Sequence, residues 1–235
     1  MPQALITGTG TGIGLACLKK FLQENSTVIA HYYETSDEFE TLCANNRSSV
    51  TSIKSDFSNE DEIQFFLSHI SKMSINVLIN IAGCFDFSKT APNRILAAKK
   101  IFCVNTIAPY LIAETIFEKM KTLGSGHIIN VSSIGVKYGS SFNSPFYAAS
   151  KAALEATTRT LAREGAPFNI LVNTIRPGVT NTNFISKTGK DINERAKLIP
   201  LKRPASPEEI TNLIYFLANI NTYITGQTIA ISGGE

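Results

Sequence analysis

The chain has 235 residues, of which 43% are hydrophobic and 17% are charged, and its net charge is +3. This apolar content excludes a disordered chain, and the small charge, without a basic run interleaved with aromatic residues, indicates no nucleic-acid partner. The cysteines (Cys17, Cys43, Cys84 and Cys103) lack the spacing of a disulfide framework or a metal site, which is typical of the reducing cytoplasm.

Neither a signal peptide nor a membrane span is expected. Met1-Pro2-Gln3 leads directly into an apolar segment, with no basic region before it. No uncharged apolar stretch approaches the roughly 18 residues that a membrane span needs. We therefore predict a soluble, cytoplasmic protein without membrane contact.

Short apolar segments alternate along the chain with longer amphipathic ones. Segments without polar alternation are typical of strands buried on both faces of a parallel sheet, and they lie at Ala4–Thr7, Thr27–Tyr32, Val50–Lys54, Asn76–Ile81, His127–Ser132, Ile170–Ile175 and Gln227–Ile231. Helical patterns lie at Ile13–Gln23, Asp37–Ala44, Glu60–Ile70, Arg94–Lys121, Ala148–Ala162 and Glu208–Ala218. The alternation predicts an α/β fold, a doubly wound, mostly parallel seven-stranded sheet with helices on both faces. No linker or repeat interrupts it, so residues 1–235 are predicted to form a single domain.

The first predicted strand ends in a glycine-rich turn, Thr7–Gly14, that leads into a helix. Its pattern is G-x-x-x-G-x-G rather than G-x-G-x-x-G. Glycines allow a tight turn, and backbone N–H groups at a helix N-terminus can approach a pyrophosphate. The position of the turn favours nucleotide binding, and a glycine-rich turn without a ligand is the alternative. Asp56, which follows the third predicted strand together with Phe57, is a candidate for the adenine edge.

Three further features would together suit the reduction of a carbonyl group. Tyr147 and Lys151 are four residues apart, which places both on one face of a helix. Ser133 follows the fifth predicted strand, at the sheet edge where ligands bind. Asn105 precedes Pro109 by four residues, and because proline has no N–H, the Asn105 carbonyl is predicted to be free to hold a water.

Hydride addition to a ketone builds negative charge on oxygen, which needs a proton donor and a stabilising hydrogen bond. Tyrosine, with a pKa of about 10, is a poor acid–base group at neutral pH. We therefore expect the Lys151 cation to lower the pKa of Tyr147, by about 3 units if it acts near neutral pH. Taken alone, each feature has an ordinary structural alternative: a surface pair on a helix, or a hydroxyl at a strand end.

Together these motifs resemble the short-chain dehydrogenase/reductase family in its single-domain, Rossmann-type form. Thr7–Gly14 is similar to the family's T-G-x-x-x-G-x-G, and Tyr147–Lys151 to its Y-x-x-x-K. Pro177–Thr182 is similar to the P-G-x-x-x-T loop beside the nicotinamide, and Ile224–Gly234 to the closing signature. Ser133 stands 14 positions before the tyrosine, one more than is common in the family. The general resemblance is greatest to members like the 3-oxoacyl-ACP reductases.

The resemblance implies a nucleotide-binding oxidoreductase that interconverts a carbonyl and a secondary alcohol with NAD(H) or NADP(H). It implies that Ser133 orients the carbonyl oxygen, Tyr147 donates the proton, and Lys151 lowers the tyrosine pKa and holds the nicotinamide ribose. Asn105 would hold a relay water. It implies no metal, and it implies cofactor contacts by Gly8, Thr11, Gly12, Ile13, Gly14, Tyr32, Asp56, Phe57, Asn80, Ala82, Gly83, Tyr147, Lys151, Pro177, Gly178, Val179, Thr180 and Thr182.

Two places depart from the family pattern. The family's N-N-A-G after the fourth strand contains Ile81 here, which removes one side-chain amide. At the ribose, Thr11 and the segment Tyr32-Tyr33-Glu34 present no cation for a 2′-phosphate. Glu34 can instead bond a free 2′-hydroxyl. We therefore expect NAD(H) rather than NADP(H).

The substrate stays open between several classes. Asn183–Pro200, which contains Gly189, is expected to form a mobile lid, with an ordinary surface loop as the alternative. A 3-oxoacyl thioester is one candidate substrate, but the segments Leu123–His127 and Arg163–Asn169 are mostly neutral and lend little support to an acidic acyl carrier protein as partner. Another small ketone or a sugar alcohol is the alternative.

The alternative to an enzyme is a catalytically silent NAD(P)-binding sensor or scaffold with the same fold. The predicted helices Arg94–Lys121 and Ala148–Ala162 carry apolar side chains on more than one face. In the family these helices commonly pair across a two-fold axis, which implies a homodimer or homotetramer.

Overall fold

The computed structural model describes residues 3–85, 90–140, 144–187 and 191–235. The strands are β1 (Gln3–Thr7), β2 (Thr27–Tyr32), β3 (Val50–Lys54), β4 (Val77–Asn80), β5 (Gly126–Val131), β6 (Ile170–Pro177) and β7 (Thr228–Ile231). The helices are α1 (Gly12–Gln23), α2 (Asp37–Asn45), α3 (Glu60–Ile70), α4 (Arg94–Phe102), α5 (Ala108–Leu123), α6 (Gly135–Tyr138), α7 (Pro145–Gly165), α8 (Asn183–Lys187), α9 (Ile192–Leu198) and α10 (Pro207–Asn219). A π-helical turn (Cys103–Ile107) joins α4 to α5, and a 3-10 turn (Ala166–Phe168) follows α7.

The strands form one sheet in the order β3-β2-β1-β4-β5-β6-β7, and every pair of neighbours is parallel. Thr7 at the end of β1 stands opposite His31 on one side and Asn80 on the other. The winding of the chain reverses beside β1, and a ligand binds such a sheet at the carboxyl ends of the strands flanking this point. The predicted doubly wound sheet of seven strands is confirmed, and it is parallel throughout.

An apolar core lies on each face of the sheet. Alternation along β1 sends Leu5 to one core and Ile6 to the other. On the first face, α3, α5 and α7 cover the sheet, with Phe66 and Ile112 fully buried. On the second face, α1 and α10 cover it, with Phe21 between them. Burial on both faces explains why the strand sequences show no polar alternation.

The predicted helix Arg94–Lys121 is interrupted in the structure. The π-helical turn divides it, and the Ala108 N–H donates to the Cys103 carbonyl five residues earlier. Pro109 stands in the first turn of α5, where a residue without an N–H costs no helical bond. A regular helix would have placed Pro109 in its interior, so the wider turn accommodates the proline.

The other boundaries differ from the predictions by a few residues. α7 begins at Pro145 rather than Ala148 and ends at Gly165 rather than Ala162. The predicted lid, Asn183–Pro200, contains the short helices α8 and α9, and Gly189 lies outside the described residues. Short helices in loops carry too few periodic positions to be found from sequence.

The helical path from α4 through α5 is both long and apolar. Arg94–Leu123 spans 30 residues, its most apolar window has a mean hydropathy of 1.4, and by length and composition alone it would cross a membrane. Of that window 44% is buried inside the protein, where Ile112 and Ile116 pack in the core under the sheet. A helix in the core of a protein can have the same length and composition as a membrane-spanning helix.

A buried ion pair fixes α7 to the two strands beneath it. The Glu155 carboxylate, 3% exposed, accepts two hydrogen bonds from the Arg176 guanidinium of β6, at 2.7 and 2.6 Å. It also accepts a bond of 2.6 Å from the Ser132 hydroxyl at the end of β5. Glu155 lies one turn beyond Lys151, so this pair sets the position of the α7 face that carries Tyr147 and Lys151.

We expect Glu155→Ala to lower the free energy of unfolding by about 3 kcal/mol, because it leaves the partly buried Arg176 and the Ser132 hydroxyl without their acceptor. Urea denaturation measures the change. Glu194→Ala, which removes an exposed pair with Lys197, is the matched control and should cost no more than about 1 kcal/mol. Equal effects of the two substitutions would contradict the role of the buried pair.

Candidate active site

The glycine-rich turn packs directly against the segment that follows β4. A Cβ at Gly8, where φ is +75°, would lie 2.8 Å from the Ala82 nitrogen, and a Cβ at Gly14 would lie 1.9 Å from the Gly8 oxygen. The Thr7 hydroxyl accepts the N–H groups of Ile81 and Ala82, at 3.0 and 3.1 Å. The backbone of residue 81 is therefore held in place although the family's side-chain amide is missing there.

The first turn of α1 begins at the switch point of the sheet, in the crevice outside the carboxyl ends of β1 and β4. Thr11 precedes the helix with an extended backbone, and its side chain makes no capping hydrogen bond. The N–H groups at the start of a helix have no partner within the helix, so those of Gly12, Ile13 and Gly14 are suited to an anionic group. The predicted contacts Gly8, Thr11, Gly12, Ile13 and Gly14 thus lie together at the crevice.

His31, at the end of β2, supports this turn from below. Its Nδ1 accepts the Gly8 N–H at 3.2 Å, and its Nε2 lies 3.0 Å from the Ser55 carbonyl oxygen, so the ring is neutral with its proton on Nε2. Burial lowers the pKa of His31 to about 4. The Phe57 ring stacks on it at 3.9 Å and is itself buried, so the side chain of this predicted cofactor contact packs in the core.

Asp56 and Tyr32 stand at the ends of β3 and β2, on the side of the crevice where an adenosine would lie. The Asp56 carboxylate accepts the Ser58 N–H at 2.8 Å. The Tyr32 ring packs at 5.0 Å from the Phe39 ring of α2. Both side chains are partly exposed, as a cofactor contact requires.

Asn80 lies beneath the crevice rather than in it. Its side chain is buried, and its Nδ2 donates to the Asn130 Oδ1 at 2.8 Å and to the Pro109 carbonyl at 3.3 Å. These bonds tie β4 to β5 and to the first turn of α5. The predicted cofactor contact of Asn80 stays a prediction.

The loop after β6 reaches across the crevice to the glycine-rich turn. The Pro177 carbonyl accepts the Ile134 N–H, and the Gly178 N–H donates to the Ile231 carbonyl, both at 2.9 Å. A Cβ at Gly12 would lie 3.1 Å from the Thr182 methyl carbon, so the two predicted cofactor segments meet there. The remaining predicted residues of this loop are Val179 and Thr180, both buried.

Asn105 lies in the π-helical turn, where its side chain holds the segment after β4. Its Oδ1 accepts the Cys84 N–H at 2.8 Å, and its Nδ2 donates to the Cys84 carbonyl and to the Ser150 hydroxyl, both at 3.0 Å. Nearby, a Cβ at Gly83 would lie 3.3 Å from both the Asn105 Oδ1 and the Lys151 Nζ. The side chain of Asn105 therefore positions the residues around Lys151.

Ser133, Tyr147 and Lys151 lie near one another in the structure. The Ser133 hydroxyl accepts the Gly135 N–H at 3.1 Å and is hydrogen-bonded to Tyr147. The Lys151 Nζ donates to the Val131 carbonyl at 2.8 Å, and the lysine is 3% exposed. β5 and α7 thus supply the hydroxyl, the phenol and the amine to one end of the crevice.

The pKa of Tyr147 differs from the sequence expectation. Burial raises it to about 12, against the hydrogen bond from Ser133, which lowers it. Burial also lowers the pKa of Lys151 to about 8, and its ammonium group is directed to the Val131 carbonyl. The net lowering of the tyrosine pKa that the sequence predicts is therefore absent in this structure, because burial raises the pKa more than the Ser133 hydrogen bond lowers it. A neutral phenol is the state that can donate a proton.

Two phenylalanines that the sequence did not identify as site residues lie beside Tyr147. The Phe85 ring lies 5.1 Å from the Tyr147 ring, and the Phe184 ring of α8 lies 6.0 Å from it. Each follows a predicted cofactor segment by two residues, after Gly83 and after Thr182. An aromatic residue directly after such a segment was the available signal.

A parallel sheet with a glycine-rich turn at its switch point and a serine, a tyrosine and a lysine beside it defines a dinucleotide-binding oxidoreductase. A family model described as enoyl-(acyl carrier protein) reductase matches residues 8–235. The chain belongs to the short-chain dehydrogenase/reductase family, and it is an NAD(P)-dependent enzyme of that family.

Individual relatives cover almost the whole chain. The 3-oxoacyl-(acyl-carrier-protein) reductase of Aquifex aeolicus is 31% identical over 240 residues, covering 98% of this chain and 96% of its own. A 4-hydroxyisoleucine dehydrogenase complexed with NADH superposes with a TM-score of 0.89 at 27% identity, covering 100% of this chain and 98% of that one. The L-sorbose reductase of Gluconobacter frateurii, complexed with NADPH and L-sorbose, has a TM-score of 0.88 at 25% identity, with coverage of 99% and 95%.

The burial of His31 predicts that the free energy of unfolding depends on pH. The unfolded chain takes up a proton near pH 6.5, whereas the folded chain takes it up only near pH 4, so stability falls as the pH is lowered through this window. We expect a loss of about 2 kcal/mol between pH 7 and pH 5 from this group, measured by urea denaturation at both pH values.

His31→Asn should reduce this loss, since the asparagine oxygen accepts the Gly8 N–H without titrating. The exposed His69 of α3 provides the control His69→Asn, which should leave the loss unchanged. An unchanged dependence in His31→Asn would contradict the assignment.

Proposed function

We propose that this enzyme reduces a ketone to a secondary alcohol, with Tyr147 as proton donor. The observation that carries the proposal is the convergence of Ser133, Tyr147 and Lys151 at the end of the crevice that the glycine-rich turn opens. The hydrogen bond between Ser133 and Tyr147 supports a shared role at one substrate oxygen. When bound, a nicotinamide cofactor supplies the hydride.

The roles follow from the charge that develops on the carbonyl oxygen. The Ser133 hydroxyl orients this oxygen, and the neutral phenol of Tyr147 gives it a proton as the alkoxide forms. Lys151, at about pH 8 and below, carries a positive charge that stabilises the phenolate left behind. Asn105 holds the Cys84 segment against Lys151, and we retain for its backbone carbonyl the proposed relay water.

The crevice suits a dinucleotide in its details. The glycines at residues 8, 12 and 14 keep the space above the turn free of side chains, and the first-turn N–H groups of α1 suit a pyrophosphate. Gly83 and Lys151 lie further along the crevice, where the nicotinamide ribose would lie, and the loop Pro177–Thr182 extends to Gly12 of the turn. These residues, with Tyr32 and Asp56, are the proposed cofactor contacts.

We infer a preference for NAD(H) over NADP(H). The loop between β2 and α2 carries acids, which are Glu34 and, in the first turn of α2, Asp37, Glu38 and Glu40. The Glu34 carbonyl lies against Gly10, where a Cβ would come within 1.8 Å of it, so this loop borders the turn. A 2′-phosphate there would meet like charges.

The substrate class proposed from the relatives is a 3-oxoacyl thioester or another small ketone. An acyl carrier protein as partner has little support, since the segments Leu123–His127 and Arg163–Asn169 at the ends of α5 and α7 are mostly neutral. We further propose a single domain and a homodimer or homotetramer in the cytoplasm. Exposed apolar residues on the path from α4 to α5 support the proposed pairing of this path and α7 across a two-fold axis; they are Ile95, Leu96 and Ile107. A silent sensor or scaffold is disfavoured because Asn105, Ser133, Tyr147 and Lys151 are all present.

We expect Tyr147→Phe to lower kcat for ketone reduction by about 1,000-fold while NADH binding is retained, because only the proton donor is removed. Reduced-cofactor absorbance measures turnover across a panel of ketones, and calorimetry measures binding. Tyr223→Phe, at a position 93% exposed, is the matched control and should keep full activity. Full turnover in Tyr147→Phe would overturn the assignment.

The cofactor preference is tested by the dissociation constants of NADH and NADPH. We expect NADPH to bind at least about tenfold more weakly, because its 2′-phosphate meets the acidic loop. Glu34→Gln should narrow the difference, whereas Glu24→Gln, at an acid paired with Lys20 outside this loop, should not change it. Tighter binding of NADPH by the natural protein would refute the preference.

A further inference from the structure

The Tyr147 ring lies in a cluster of three aromatic rings, Phe85, Tyr147 and Phe184. Their centroids are 5.1 Å apart for Phe85 and Tyr147, 6.0 Å for Tyr147 and Phe184, and 6.1 Å for Phe85 and Phe184. All three pairs lie within the range of favourable aromatic contact, with the two phenylalanines edge to face. Apolar surface from two separate segments therefore surrounds the phenol.

The two phenylalanines are placed by segments that also border the proposed cofactor site. Phe85 follows Gly83, next to the Cys84 backbone that Asn105 holds by two hydrogen bonds. Phe184 is the second residue of α8 and lies two residues after Thr182, whose methyl group faces Gly12. When the oxygen of a ketone binds to Tyr147, one of the two substituents on its carbonyl carbon would therefore lie against these rings.

The chemistry of the rings discriminates between substituents. An alkyl or aryl group gains free energy when it leaves water for an apolar surface. Hydroxyl groups placed there lose their bonds to water and receive none from phenylalanine, which penalises a polyhydroxylated ketone. The proposed function assigns the Ser133 hydroxyl and the Tyr147 phenol to the carbonyl oxygen itself, so neither is assigned to a hydroxyl group of the substituent.

We propose that Phe85 and Phe184 form an apolar subsite that selects ketones with an alkyl or aryl substituent over polyhydroxylated ketones. The proposal rests on the proposed function, since it assigns the substrate oxygen to Tyr147. It separates this enzyme from a reductase for sugars and makes the two phenylalanines specificity-determining residues.

The test compares two ketones in which the carbon chain that bears the ketone has six carbons. They are the 3-oxohexanoyl thioester of N-acetylcysteamine and L-sorbose, each with NADH as reductant. We expect kcat/KM to favour the thioester by at least about 100-fold. Phe184→Ala should raise KM for the thioester roughly tenfold with a smaller change in kcat, because it removes binding rather than chemistry. Phe85→Ala should act in the same direction, and Phe184→Leu should restore most of the binding.

Phe168→Ala is the matched control, since Phe168 is 41% exposed in the 3-10 turn after α7. It should leave both KM values unchanged. Equal or better use of L-sorbose by the natural protein would overturn the proposal. An equal loss for both ketones in Phe184→Ala would also overturn it, because it would indicate structural damage to the site.

Binding to the Tyr147→Phe variant separates the two claims. Calorimetry with NADH present gives the dissociation constants of both ketones without turnover, and Phe184→Ala is added to this background. If the natural protein reduces neither ketone, the proposed function fails. The subsite then stands if the thioester binds more tightly and loses affinity with Phe184→Ala, and it falls if L-sorbose binds equally well.

Discussion

The close contact between the backbone after β1 and the backbone after β4 is the constraint on which the site depends. It exists because residue 8 has no Cβ to separate the segments and because the Thr7 hydroxyl accepts the N–H groups of residues 81 and 82. Both segments are thereby fixed at the switch point of the sheet. His31 reinforces the contact from below through the Gly8 N–H.

A chain of hydrogen bonds connects this contact to α7, which carries Tyr147 and Lys151. The segment after β4 is bonded to Asn105, and Asn105 is bonded in turn to Ser150 of α7. α7 is held on the other side by the pair of Glu155 and Arg176. The Tyr147 and Lys151 side chains therefore stand on a helix that is held between them at Ser150 and one turn beyond Lys151 at Glu155, which suits a reaction that depends on the position of a proton.

Burial has two effects at this site. It raises the pKa of Tyr147 to about 12, and it lowers the pKa of Lys151 to about 8. The Phe85 and Phe184 rings lie 5.1 and 6.0 Å from the Tyr147 ring and add apolar surface beside the phenol. The surroundings of Tyr147 thus bear both on the proposed proton donation and on the proposed selection of an apolar substituent.

The sequence by itself determined the parallel α/β sheet and the positions of the glycine-rich turn, Ser133, Tyr147 and Lys151. Those features depend on local patterns: apolar runs, glycines at a turn, and a four-residue spacing on one helix face. Only the tertiary structure decided the buried place of Asn80, the raised tyrosine pKa and the aromatic cluster. Each of these depends on contacts between segments far apart in the chain, where burial and packing override the local pattern.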